Sequence, residues 1–274
     1  MASGDYLAYT FDSKEEVFNA LLSLYPFESF QETDDGLIGY ISVGALDAEA
    51  QTGIEELCIA HEVKHSTEII KPQNWNAQWE ASFQPVAVRD FCRIRADFHE
   101  AVAGYTHDIV INPKMAFGTG HHETTWMMID AMSKMDLTGS RVLDFGCGTG
   151  VLAILAERLG AGAIDAIDIE TESYDNTIEN AEINGCSKIT TYCGELPVLA
   201  DKVYDVILAN INRHVLLTTT EMLHSMLADD GQLLLSGILG EDENLVLERY
   251  ATAGFKTVSV AERGNWRCNA LVKA

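Results

Sequence analysis

Lysine and arginine are scarce in this 274-residue chain. There are 18 of them against 42 aspartates and glutamates, a formal charge of −24. Unaided binding to nucleic acid needs cations to displace counterions from phosphate, so this balance argues against it. It argues equally against an anionic membrane surface, and it leaves room for a basic partner. Long apolar runs are also missing. The longest, such as Val151–Ala156, fall far short of the ~18 residues that cross a bilayer. Residues Met1 to Asp5 carry neither a basic stretch nor an apolar core, so no signal peptide is expected. Cys58, Cys92, Cys147, Cys186, Cys193 and Cys268 form no C-x-x-C pair. Neither a zinc ribbon nor a disulfide framework is expected, and reduced thiols in a cytoplasm fit best. His61 with His65, and His121 with His122, lack a second cluster at ligand spacing, so no metal is expected. What the chain does have is 47% hydrophobic residues, enough to bury a core and too many for a disordered acidic tail.

The first seventy residues alternate between short elements. Tyr6–Phe11 reads as a strand. Ser13, with Glu16 three residues on, reads as a capping box opening a helix whose apolar face is Val17, Leu21, Leu22 and Leu24, and Pro26 ends it. Phe27–Glu32 and Leu37–Val43 read as strands around the turn Asp34-Asp35-Gly36; Asp47–Cys58 reads as a helix and Glu62–Ile70 as a last strand. The β-α-β-β-α-β order predicts a small α+β ferredoxin-like domain over residues 1–70. Residues 71–85 are expected to form a linker helix with Trp75, Trp79 and Phe83 on one face, a stripe for packing domains together or, less simply, for caging a ligand. From residue 86 to 274 strands alternate with helices, which predicts a doubly wound, Rossmann-like α/β sheet. Lys256–Ala261 and Arg267–Val272, with only Glu262–Trp266 between them, should close it as an antiparallel hairpin.

The informative segment is Asp144-Phe145-Gly146-Cys147-Gly148-Thr149-Gly150, where a strand becomes a helix. Gly146 and Gly148 allow a sharp turn and a close approach of backbone to ligand. The next strand ends at Asp168, placed to accept hydrogen bonds from both ribose hydroxyls. A dinucleotide loop reads G-x-G-x-x-G, with a helix N-terminus facing a pyrophosphate. Here the spacing is G-x-G-x-G with an acid before it. S-adenosylmethionine has a ribose and no phosphate, and Asp144 could attract its ammonium directly or through water. The loop therefore favours a methyl donor over NAD. The strand Tyr204–Ala209 leads into Asn210-Ile211-Asn212. An amide at that strand end can accept a hydrogen bond from an amine substrate, or it can cap the turn into the next helix. Upstream, the loop Phe117-Gly118-Thr119-Gly120-His121-His122-Glu123 runs into an amphipathic helix that Thr124 or Thr125 could cap, and such a loop would make a lid.

In the loop Ala116–Thr125, the turn Asp144–Gly150 and Ala209-Asn210-Ile211, the sequence resembles the bacterial ribosomal-protein methyltransferases called PrmA. These modify large-subunit ribosomal protein eleven. The resemblance implies a seven-stranded class I methyltransferase domain that uses S-adenosylmethionine to methylate lysine side-chain or N-terminal amines. It implies that Thr125, Gly146, Asp168 and Asn210 contact the cofactor, that Phe117, Gly118, Thr119 and His122 belong to the covering loop, and that the small N-terminal domain recognises the basic ribosomal protein. Glu123 stands where the family usually has proline, and Asn212, Arg213 and His214 follow Asn-Ile where the family has small residues. Two other readings compete. An enzyme of a different acceptor, such as a nucleic-acid base, often carries Asn-Pro-Pro-aromatic where this chain has Asn210-Ile211-Asn212-Arg213. A non-catalytic binding module would have no need of an intact turn, acid and loop. A monomer is expected, because neither domain shows an obvious exposed apolar stripe.

Overall fold

The computed structural model describes residues 6–33, 36–70, 84–112 and 117–274. The stripe Trp75, Trp79 and Phe83 lies outside the described residues. The chain divides into two compact units, Met1–Ser82 and Phe83–Ala274. No described helix is long and apolar enough to cross a membrane.

The first unit runs β1 (Tyr6–Phe11), α1 (Glu16–Leu22), β2 (Ser29–Glu32), β3 (Leu37–Ser42), α2 (Ala48–Ala60) and β4 (His65–Ile70). Its sheet has the order β2-β3-β1-β4 with every pair antiparallel. Alternate residues of β3 are buried, as a one-sided sheet requires. Phe11, Phe18, Leu22, Ile41 and Ile54 form the core between that face and the helices. Asp47 caps α2 by accepting the Ala50 N–H at 2.7 Å. Ser13 does not cap α1 as the pattern suggests. Its hydroxyl accepts the Glu15 N–H at 3.2 Å, and Glu15 occupies the cap position. A serine that bonds its own backbone two residues on competes with the cap.

The second unit opens with a small sheet, β5 (Val86–Val88), β6 (Cys92–Arg95) and β7 (His107–Val110), followed by α3 (Glu123–Met132). Then come β8 (Arg141–Phe145), α4 (Val151–Arg158), β9 (Ala163–Asp168), α5 (Thr171–Ile183), β10 (Ile189–Cys193), β11 (Tyr204–Asn210), α6 (Arg213–Met226), β12 (Leu227–Leu239), α7 (Glu243–Thr252), β13 (Phe255–Arg263) and β14 (Trp266–Lys273). They build a seven-stranded sheet of order β10-β9-β8-β11-β12-β14-β13. It is parallel up to β12, and β14 runs antiparallel to both β12 and β13. Strand alternation sends Val142 to the face covered by α3 and α4, and Leu143 and Phe145 to the face covered by α6 and α7. Within this sheet the chain enters at β8, winds outward to β10, then returns beside β8 at β11 and winds outward the other way. The switch point between β8 and β11 therefore opens a crevice at the carboxyl ends of the strands.

Buried asparagines brace one side of that crevice. Asn176, Asn180 and Asn184 recur every four residues along α5 and its C-cap, so they share one face. Asn184 accepts the Val110 N–H at 3.0 Å and donates to the Val110 carbonyl at 2.7 Å. Asn180 accepts the Asn112 N–H at 2.9 Å, and Asn176 donates to the Asn112 carbonyl at 2.8 Å. The side chains thus stand in for a neighbouring strand and satisfy a buried backbone edge. Asn180 also donates to the Thr149 carbonyl at 2.9 Å, tying the same helix to the glycine turn.

Candidate active site

A cavity of about 1100 Å³ occupies the crevice. Phe117, His122, Gly146, Gly148, Asp168 and Asn210 all line it; Gly118, Thr119, Thr125 and Asp144 do not. The glycine turn forms its floor. Gly146 and Gly148 both have positive φ, 75° and 55°. A Cβ on Gly146 would lie 2.2 Å from Ile211 Cγ2, and one on Gly148 would lie 2.2 Å from the Phe117 carbonyl oxygen. Only glycine fits either position.

Asp168 ends β9 at the cavity wall. One carboxylate oxygen accepts the Gly148 N–H at 2.9 Å and the other the Glu170 N–H at 3.1 Å. Each oxygen keeps a lone pair for a ligand. Asp144 is placed differently from the sequence expectation. It is 1% exposed, and alternation along β8 turns its side chain toward α4, where it accepts the Ala153 N–H at 3.0 Å. Burial pushes its carboxyl up to about 7; the Ala153 bond opposes that, and the nearby charge of Asp168 adds to it. Asp144 thus joins strand to helix from behind the turn and does not itself line the cavity.

The loop before α3 lies on the turn. The Phe117 carbonyl accepts the Thr149 N–H at 2.9 Å, and the Thr149 hydroxyl donates to the Gly118 carbonyl at 2.8 Å. Thr119 points away from the cavity, bonded to His121, which in turn reaches the Gln84 carbonyl. His122 caps α3 in place of Thr124 or Thr125. Its Nδ1 accepts the Thr124 N–H at 3.3 Å and lies 2.8 Å from the Thr124 hydroxyl. The His122 ring sits edge-on to Phe117 (centroids 5.3 Å apart) and to Trp266 (4.6 Å).

Asn210 is the last residue of β11. Its Nδ2 donates to the Thr125 hydroxyl at 3.3 Å, so Thr125, fully buried in the first turn of α3, reaches the site through Asn210. The Asn210 side-chain carbonyl oxygen is buried and has no partner among the described residues. Such an acceptor costs about 1–3 kcal/mol unless a ligand supplies a donor.

The family model for ribosomal protein L11 methyltransferase, PrmA, matches residues 13–274. The chain belongs to the PrmA family. It is 40% identical over 261 residues to a ribosomal protein L11 methyltransferase of Porphyromonas gingivalis, covering 94% of this chain and 90% of that one. A protein of the same description from Bacteroides fragilis is 36% identical over 271 residues, covering 95% and 97%. Among solved structures, a ribosomal protein L11 methylase from Lactobacillus delbrueckii subsp. bulgaricus superposes with a TM-score of 0.64 at 29% identity, covering 70% of this chain and 99% of that one. Family and class I methyltransferase fold are as the sequence suggests.

One departure from the PrmA pattern has a local explanation. Glu123 is the first helical residue of α3. Proline is favoured there for its fixed φ, and a carboxylate is favoured there by the helix dipole, so the two residues serve the same position. Several cavity residues escape a sequence reading. Trp266 is expected in a turn, yet it opens β14, paired with Arg263 and Leu239. The dipeptide Gly264-Asn265 is a two-residue hairpin signal that points to this register. Glu170, Glu195, Leu196 and Met222 also line the cavity, and no motif marks them.

Proposed function

We propose that this chain transfers methyl groups from S-adenosylmethionine to lysine side-chain or N-terminal amines of ribosomal protein L11. The observation that carries this is Asn210 in the cavity lining, whose buried side-chain oxygen has no partner among the described residues. The residues present fit the donor. Asp168 keeps lone pairs for ribose hydroxyls, Gly146 and Gly148 present bare backbone to the cavity, and Ile169 and Leu196 offer apolar surface for a purine. When bound, S-adenosylmethionine supplies a methyl on a sulfonium, already a good leaving group. The protein's task is then to position and desolvate the acceptor. A lysine amine has an ordinary pKa of ~10.4, and enclosure in the cavity lowers it. The Asn210 carbonyl accepts an N–H of the neutral amine and directs its lone pair. A carboxylate at that place would hold the amine as ammonium. The proton leaves to solvent.

The N-terminal unit, a ferredoxin-like pattern over residues 1–70, is the proposed recognition domain. Within residues 1–70 the only lysines and arginines are Lys14 and Lys64 among many carboxylates, which suits a basic ribosomal protein. We place the reaction in the cytoplasm, with the chain acting as a monomer. Incubation with labelled S-adenosylmethionine and L11, free or in ribosomes, followed by mass spectrometry, should find label on L11 amines. Label in RNA alone would overturn the reading.

A further inference from the structure

Among the described residues the side-chain amide of Asn210 makes one hydrogen bond, to the Thr125 hydroxyl. Thr125 stands in the first turn of α3, so whatever fixes that turn also fixes the acceptor. The turn is capped by a histidine. Short side chains such as Ser, Asp and Asn cap helices by their own geometry. An imidazole sits at the end of a longer side chain, and its Nδ1 must be aimed. Two rings hold it. Phe117 meets it edge-on on one side, its own carbonyl fixed to the Thr149 N–H. Trp266 meets it edge-on at 4.6 Å, delivered by the first position of β14.

We infer that Trp266 is a positioning residue for methyl transfer: its ring sets His122, His122 caps α3, and the cap places Thr125 to orient Asn210. This rests on the role given above to Asn210. Trp266 also lines the cavity, so the rival account is that its ring touches the acceptor directly. The two accounts differ in what happens when the cap no longer depends on a ring.

The test uses the full chain with Trp266→Leu, Trp266→Phe, His122→Asn and the double variant His122→Asn/Trp266→Leu. Steady-state rates with S-adenosylmethionine and L11 are measured beside hydrogen exchange of the Thr124 amide. Trp266→Leu should lower kcat about fivefold, the rate equivalent of a lost cap, with the KM for S-adenosylmethionine little changed. It should speed exchange at Thr124 while amides in α7 keep their protection. Trp266→Phe, which still offers a ring edge, should recover most of the loss. In the His122→Asn background, whatever its own rate, adding Trp266→Leu should change kcat less than about twofold, because coupled positions are not additive. The same factor in both backgrounds would show direct contact with the acceptor and overturn the relay, as would unaltered exchange at Thr124. Failure of the Asn210 reading would look different. Asn210→Ala would turn over at the wild-type rate while exchange at Thr124 still responded to Trp266.

Discussion

Replacing Asn210 with alanine should separate catalysis from stability. Two terms act on folding, and they oppose each other. The bond from Nδ2 to the Thr125 hydroxyl is long, 3.3 Å, and a neutral bond of this kind contributes about 0.5–1.5 kcal/mol. The buried carbonyl without a partner costs about 1–3 kcal/mol, and alanine removes that cost as well. The urea midpoint of Asn210→Ala should therefore stay close to wild type. Turnover should not. A preorganised polar contact aimed at reacting groups is worth about 2.7–4 kcal/mol, or roughly a hundred- to a thousandfold in kcat. Asn210→Asp adds a sharper test. A carboxylate there favours the ammonium form of the acceptor, so the residual rate should rise toward higher pH than in wild type. The assay is initial rate with labelled S-adenosylmethionine at saturating L11, beside urea denaturation of each variant. A rate within about threefold of wild type, or a rate loss that tracks a loss of stability, would refute the reasoning.

Other perturbations probe the surroundings. Gly148→Ala places a Cβ 2.2 Å from the Phe117 carbonyl at a positive φ and disturbs the amide that holds Asp168. Calorimetry should show S-adenosylmethionine affinity falling by about tenfold or more, and unaltered affinity would refute the packing of loop on turn. Asp144 binds its proton more tightly folded than unfolded, so its contribution to stability is present at low pH and is lost as pH rises to about 7. Asp144→Asn should flatten that fall and raise the urea midpoint at slightly alkaline pH; equal slopes in both proteins would count against a buried, raised carboxyl. If the charge of −24 steers a basic substrate, kcat/KM should drop with added salt while kcat holds; a flat profile removes that role.

What was legible in the sequence was whatever chemistry is local. Gly146, Gly148 and Asp168 reveal themselves because a sharp strand-to-helix turn and the end of the next strand are set within a few residues. The fold class follows from alternation of period. The parts that escaped depend on side chains meeting across the fold. Threonine is a commoner cap than histidine, yet His122 takes that position between Phe117 and Trp266, which the sheet brings from the far end of the chain. The asparagine face of α5 reads as an ordinary polar stripe until the backbone of Val110 and Asn112 is laid against it. Asp144 was nearer to legible: Val142 and Asp144 must share a face, and that face is the one α4 covers.

The distribution of charge around the cavity has its own logic. In the sheet order, β9 and the segment after β10 bring Asp168, Glu170 and Glu195 to one flank, and β11 brings an uncharged amide to the other. Asp168 and Asn210 end strands separated only by β8, two strand spacings or about 10 Å apart. Carboxylates on the first flank favour a cationic donor. On the second flank they would hold the amine protonated and strip it of the lone pair that the transfer needs. A neutral acceptor at position 210 avoids that. This division is why Asn210→Asp, which removes no hydrogen-bond acceptor, is still expected to impair the enzyme at neutral pH and to recover as the pH rises.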